Sequence, residues 1–419
     1  MEEAINGADT AWLLVSSAFV MLMIPGLAFF YGGMVHSKNV LSSCMHSFFA
    51  MGLMTVQWVV IGYSLAFGET NGGIVGGMQY FMLNGVGLEP NGTIPHILFM
   101  AFQMMFAIIT PALISGAFAE RIKFSTYAVF IVLWGTLVYD PICHWVWGPG
   151  GWLGARGALD FAGGTVVHLS SGASALVFAI VLGKRLRPAP PGNLTLTLIG
   201  AALLWFGWFG FNAGSALASG ENAALAFVNT HVAAAAAALA WAAVEWTRHG
   251  KPTSLGVASG LVAGLVCITP AAGFVGPMSA VLMGAVAGLI CFWAVLAKSR
   301  FGYDDSLDAF GIHGVGGALG AVLTGVFAAT AWSGNEDADG LLTAGNVGLV
   351  GEQVLGVLAA GGYAAFVTWV LLKILDATMG LRVQEDEERE GLDTVLHGET
   401  AYRPISERAG MHGEAPEEA

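Results

Sequence analysis

Eleven apolar stretches, each about long enough to cross a bilayer as a helix, leave this chain few ways to fold. A hydrocarbon core roughly 30 Å thick needs about 20 helical residues. Cutting the sequence at charged residues and at Gly, Pro and Asn clusters gives segments at 10–34, 41–67, 96–119, 124–145, 162–183, 194–218, 222–247, 254–274, 277–298, 306–331 and 345–375. Only 11% of the 419 residues are charged, against about 25% in soluble domains. So few charges cannot clothe a soluble protein of this length, whereas lipid asks for no polar partner. The 59 glycines suit helices packed backbone to backbone in a membrane. The expected class is an all-α integral membrane protein of eleven spans. The opening Met1-Glu2-Glu3 is acidic, and the first apolar run is too long for a signal peptide, so it reads as the first span.

Positive charge sets the expected orientation. Loops after odd-numbered spans hold Lys38; Arg121 and Lys123; Lys184, Arg185 and Arg187; Arg248 and Lys251; Lys298 and Arg300. Loops after even-numbered spans hold only Arg156. The odd loops are therefore expected in the cytoplasm, with the N-terminus outside and the C-terminus inside. One missed span would scramble this split. The net charge of −13 reflects a tail rather than the whole chain: composition breaks after Gly380, dividing a membrane domain (1–380) from an acidic cytoplasmic tail (381–419). Residues 388–393 are expected to start a short helix, and the tail reads as a solvated segment or as a regulatory docking segment. Nothing basic enough for nucleic acid is present. Cys44, Cys143, Cys267 and Cys291 all lie in apolar stretches, without metal-ligand or disulfide spacing, and read as packing residues.

One internal echo points to chemistry. Span 5 opens with Asp160 and reaches His168 eight residues on; span 10 opens with Asp305 and reaches His313 at the same interval. An offset of five spans reverses helix direction, as in the inverted repeats of transporters, whose substrate path lies between the halves. The expected architecture is thus an inverted 5+5 repeat plus a final helix. Eight residues at 1.5 Å each carry each histidine about 12 Å from its helix start, near the midplane of the core. A lone buried histidine is more often a satisfied core residue. A matched pair at one depth reads instead as lining a pathway, because ionisable groups there are costly. The two aspartates read as helix N-caps that shape a vestibule.

Several motifs resemble the Amt/Rh family of ammonium transporters, and in particular its bacterial Amt branch. They are Phe29-Phe30-Tyr31-Gly32-Gly33, Ala119-Glu120-Arg121-Ile122-Lys123-Phe124, Asp160 to His168, Gly207 to Ser215, Ala226-Phe227-Val228-Asn229-Thr230, Phe310-Gly311-Ile312-His313-Gly314-Val315, Gly380-Leu381-Arg382-Val383 and Glu388 to Asp393. They run in order from about residue 7 to residue 402. The resemblance implies a homotrimer in the cytoplasmic membrane, with one pore per subunit and no cofactor. It implies an outer ammonium site at Phe102, Trp147 and Ser215, a gate at Phe106 and Phe211, and a narrow pore lined by His168, His313 and Trp208. Phe106 follows Phe102 by one helical turn on the same face; Met104 and Met105 between them depart from the expected pattern. A PII-type signal protein at the cytoplasmic mouth is the implied partner.

That chemistry is coherent. NH4+ and K+ are of similar size, but NH4+ donates directional hydrogen bonds that a hydroxyl accepts, and aromatic faces attract a partly dehydrated cation. Carrying the full cation through an apolar pore is costly, so deprotonation near the gate followed by NH3 passage is expected. The histidines would serve as a proton relay, giving electrogenic uptake. The alternatives are an electroneutral NH3 channel, a Rh-like gas channel, and an ammonium sensor with little flux. An intramembrane metalloenzyme is disfavoured: catalytic zinc normally takes three protein ligands, no third ligand falls at the depth of the histidines, and HExxH is absent.

Overall fold

A computed structural model of the chain describes residues 5–336 and 338–402. Met1 to Glu3 and the part of the tail after Tyr402 lie outside these described residues. Ten helices are long and apolar enough to cross a membrane: α1 (Gly7–Met34), α2 (Val40–Phe67), α3 (His96–Phe118), α4 (Phe124–Ala155, one helix as far as Trp147), α5 (Gly164–Leu182), α6 (Leu194–Gly214), α7 (Glu221–His249), α9 (Pro277–Phe301), α10 (Phe310–Phe327) and α11 (Val347–Thr378). Between α7 and α9 lies the shorter apolar helix α8 (Ser254–Ile268). It occupies the eighth expected segment, whose last residues form turns instead of helix. Two short helices close the described tail, α12 (Glu385–Glu390) and α13 (Leu392–His397). The loop between α2 and α3 carries two small antiparallel hairpins, Thr70–Asn71 with Val75–Gly76 and Pro90–Asn91 with Ile94–Pro95.

Helix ends follow local chemistry. Side chains of Asn6, Asn193, Thr253 and Asn346 accept first-turn N–H groups of α1, α6, α8 and α11. Gly250 and Gly302, both left-handed, end α7 and α9. Small residues set the packing. A Cβ on Gly200 of α6 would lie 2.2 Å from the Phe30 nitrogen of α1, and one on Gly284 of α9 would lie 2.2 Å from the Ala233 carbonyl of α7. Helices drawn this close gain dispersion contacts in a medium with no hydrophobic drive between them. Outward faces are apolar, with Leu239, Met278, Leu358 and Phe366 all more than 60% exposed. Such surface suits lipid or another subunit rather than water.

Four helices contain a wider π-helical turn: α2 at Trp58–Gly62, α4 at Gly135–Tyr139, α5 at Gly164–Leu169 and α10 at Phe310–Gly314. Such turns often mark functional sites. In α5 and α10 the π turn is the helix start itself, and it carries the histidine.

Candidate functional site

Each histidine helix begins on an aspartate that reaches forward to cap it. The Asp160 carboxylate accepts N–H bonds from Gly163 and Gly164 on one oxygen (2.8 and 2.7 Å) and from Thr165 and Val166 on the other (2.9 and 3.0 Å). Asp305 accepts from Ala309 (3.1 Å) and Phe310 (2.8 Å). The residues between each aspartate and its helix therefore form a turn, with Gly163 at φ +113°. This corrects the expected 12 Å of helical rise: His168 is the fifth residue of α5 and His313 the fourth of α10. A carboxylate that caps from three or more residues upstream spends much of the interval outside the helix.

The two histidines meet because α5 and α10 cross at glycine. A Cβ on Gly172 would lie 2.1 Å from the Gly314 nitrogen, and one on Gly317 would lie 2.7 Å from the Gly164 carbonyl. Followed forwards, α5 thus meets α10 backwards. His168 and His313 are both buried, their rings near parallel with centroids 5.3 Å apart and their Nδ1 atoms 3.3 Å apart. In an Nδ1–Nδ1 hydrogen bond one ring donates and the other accepts, so the two neutral rings hold opposite tautomers. The Nε2 of His168 is buried without a hydrogen-bond partner.

Aromatic rings continue the line. The His168 ring stacks on Trp208 at 5.3 Å and on Phe211 at 5.9 Å, and Phe211 lies against Phe106 at 4.4 Å with the rings tilted by 44°. Thr269, just beyond α8, accepts the Trp208 indole N–H at 2.9 Å and fixes that ring. Beside the histidines is an apolar void of about 10 Å³, walled by Ile109, Leu113, Leu204, Val262 and Trp208 among others. That is room for about one water.

On the other side of the Phe106–Phe211 pair is a cavity of about 320 Å³, lined by Phe106, Trp147, Ser215, Gln103, Phe99 and Phe161 among others. The Ser215 hydroxyl donates to the Phe211 carbonyl (2.8 Å), which leaves its lone pairs as acceptors. Trp147 donates to the Asp160 carbonyl (2.8 Å), so one aspartate holds both this ring and the start of α5. Phe102 departs from expectation. It is fully buried and does not line this cavity, standing behind Phe106 (centroids 5.1 Å) and against Gly214. Helical spacing does bring Phe102 and Phe106 together, but Phe99 and Gln103 present the cavity face. The carbonyl oxygen of Gln103 is buried there without a partner. Sequence reasoning missed Gln103, whose one signal was an amide inside an otherwise apolar run. Among the described residues no three His, Cys, Asp or Glu side chains group as metal ligands.

The model of the Ammonium Transporter Family matches residues 11–402. The chain belongs to this family. It is 52% identical to the ammonium transporter of Bacillus subtilis (strain 168), covering 94% of this chain and 98% of that one. The crystal structure of Saccharomyces cerevisiae Mep2 superposes with a TM-score of 0.85 at 39% identity, covering 91% of this chain and 89% of that one. A structure described as a sensor Amt protein superposes with a TM-score of 0.86 at 29% identity, over 93% and 98% of the two chains. The chain is accordingly a multi-pass membrane protein of the ammonium transporter family.

In this family member the tail docks on the loops that join the helices. Arg121, fully buried, donates to the Gly183, Ala117 and Asp304 carbonyls (3.0, 3.0 and 2.6 Å), joining the ends of α3 and α5 to the loop before α10. Sequence reading used Arg121 only as a topological charge and within a family motif. Asp393 of the tail accepts the Ser42 N–H (2.8 Å) at the start of α2, and Leu392 donates to Asn39 (2.8 Å). The helix expected at 388–393 is in fact two helices, parted at Gly391 (φ +123°). The Arg185 guanidinium donates two hydrogen bonds to the Asp304 carboxylate (2.9 Å each) and a third to Glu120 (2.8 Å). Burial would raise the Asp304 carboxyl, but the hydrogen bonds and charge of Arg185 outweigh it and hold it down to about 2. A carboxyl held below its unfolded value of about 3.9 stabilises the fold above that pH, and the contribution is lost as pH falls from about 4 to about 2. In detergent, Asp304→Asn is expected to melt several degrees below the parent at about pH 6 and together with it near pH 2. A melting difference that does not shrink on acidification would refute the assignment.

Proposed function

We propose that this chain carries ammonium across a cytoplasmic membrane through a pore in each subunit. NH4+ enters the outer cavity, where Ser215 accepts an N–H and the faces of Trp147 and Phe106 attract the cation; Phe102 backs this wall. The ion loses its proton at the Phe106–Phe211 gate, since the apolar constriction beyond is costly for a full charge. NH3 then passes Trp208 and the histidines, and the proton crosses by way of His168 and His313, which makes transport electrogenic. Imidazole suits this relay because each ring both donates and accepts. The observation that carries the reading is the contact between His168 and His313 beneath the phenylalanine pair, at the end of a cavity with unspent acceptors.

The finer assembly belongs to the same proposal. The subunits form a trimer, the N-terminus is outside and the C-terminus in the cytoplasm, a reading supported by the split of basic residues between loops. The tail from residue 381 regulates the pore, and a PII-type signal protein binds that face; the docking of Asp393 and Leu392 on α2 supports a regulatory tail. The likeness to a sensor Amt protein favours a second reading, in which ammonium is sensed with little flux.

The test is current on a solid-supported membrane after an NH4+ jump on proteoliposomes, with K+ as control. Current with NH4+ alone is the expected result. No current, with a change of internal pH on the same vesicles, would replace the proposal by an electroneutral NH3 channel; neither signal would favour the sensor. His168→Ala and His313→Ala are each expected to change rate or NH4+/K+ discrimination by about tenfold or more, in line with a typical acid–base contribution. Unchanged transport and discrimination in both would sink the relay.

A further inference from the structure

On the face that carries the tail, a cavity of about 260 Å³ opens between the α1–α2 loop, the end of α3, the α5–α6 loop and α12. Its walls contain two buried carboxylates, and both are spent. Glu120 accepts from the His36 N–H (2.8 Å), the Asn39 amide (2.9 Å) and the Arg185 guanidinium (2.8 Å). Glu388 accepts from the Leu186 N–H (2.7 Å) and is paired with Arg382 (2.7 Å). Arg185 is further matched by Asp304. None of the remaining cations on the cavity is matched by a carboxylate of its walls. Among the described residues, Lys38 donates its ammonium to the Glu388 and Arg389 carbonyls and to no carboxylate. Arg187 has no hydrogen bond or ion pair among the described residues. Arg389 has one carboxylate neighbour, Glu385, at 3.7 Å on the exposed side of α12.

Three cations from three separate segments thus surround a space that no carboxylate of the walls neutralises. Like charges brought together without a partner repel, and a multiply charged anion between them relieves this. Two guanidinium forks and one ammonium match a phosphate group: the forks bind bidentately and the lysine acts as a point charge. The volume is many times the roughly 10–15 Å³ that one water needs, which is room for a phosphate ester or a diphosphate. We propose that this cavity is a binding site for a phosphate-bearing anion, held by Lys38, Arg187 and Arg389 between the tail and the loops. A free phosphate compound and a phospholipid headgroup share this chemistry. The proposal is independent of what passes through the pore, because its readout is binding.

The experiment titrates pyrophosphate into the full-length protein in zwitterionic phosphatidylcholine nanodiscs, against chloride at matched ionic strength. Calorimetry is expected to show saturable binding of one pyrophosphate per chain. Arg187→Gln combined with Arg389→Gln should weaken it by about tenfold or more, while Arg300→Gln, at an exposed cation away from the cavity, should leave it unchanged. Neither cavity arginine holds another element in place, so the double variant is expected to keep its melting temperature. Repeating the titration in phosphatidylglycerol nanodiscs separates the sources: competition assigns the site to a lipid headgroup, and undiminished binding assigns it to a soluble phosphate. No saturable binding in phosphatidylcholine, or equal affinity in the double variant, would overturn the proposal.

Discussion

Gly172→Ala is expected to cost about 3 kcal/mol or more of stability and to abolish the proposed conduction. The added methyl would lie 2.1 Å from the Gly314 nitrogen and 2.3 Å from its Cα, so the obstacle is backbone rather than a side chain that can swing away. Overpacking a tight core typically costs about 1–3 kcal/mol, and a clash between two backbones belongs at the top of that range. Relief requires α5 and α10 to separate, and they carry the two histidines whose Nδ1 atoms are 3.3 Å apart. Gly351→Ala in α11 is the matched control, because nothing lies within 4 Å of the added carbon. Melting followed by fluorescence-detected size exclusion, with the NH4+ current alongside, reads both. A Gly172→Ala protein with the parent's melting temperature and current would show that the crossing is not tight.

Asp160→Ala should have the second largest effect, and a larger one than Asp305→Ala. Asp160 accepts four backbone N–H groups, Asp305 two. Each buried donor left without an acceptor costs about 1–3 kcal/mol. With some recovered by water, the loss at Asp160 is expected at about 3–5 kcal/mol. Trp147 is anchored on the carbonyl of the same residue, so the outer cavity should loosen together with the start of α5, and current should fall by at least about tenfold. Asp160→Asn, which keeps one acceptor oxygen, is expected to lie between the parent and the alanine variant. Equal losses at Asp160→Ala and Asp305→Ala would mean that the number of capped N–H groups does not set the effect.

Much of the molecule was legible because a bilayer simplifies the code. Length and apolarity alone mark ten of the helices, and the His168–His313 contact follows from an echo of Asp-to-His spacing on spans of opposite direction. The misses have separate physical causes. The depth estimate treated residues 160–168 as helix, whereas the Asp160 carboxylate bends the chain before the helix begins. Spacing of four placed Phe102 beside Phe106 correctly, but it does not say which side of that face meets a cavity, and Phe99 and Gln103 took that place. Helix α8 stops at Ile268 because Pro270 follows closely, and Thr269 beside that stop holds Trp208, 61 positions away. Arg121 reads as a loop charge until the chain ends it joins are brought together. The Asp160 cap is local, reaching three to six residues on, whereas the cavity face and the contacts of Arg121 are long-range, and no local pattern encodes them.

The single-water void beside the histidines also has an electrical consequence. On the proposed path, a cavity of about 320 Å³ with unspent acceptors precedes an apolar constriction, which is the harder part for an ion to cross. Membrane potential falls where conductance is lowest, so on the proposed path the field is focused between Phe106 and His313. A unit charge crossing there senses nearly the full potential, about 2.3 kcal/mol per 100 mV, or roughly fifty-fold in accumulation ratio. A neutral NH3 crossing the same gap senses none of it. The voltage dependence of uptake therefore reports what passes the constriction, charge or neutral gas, whichever residues bind ammonium at the mouth.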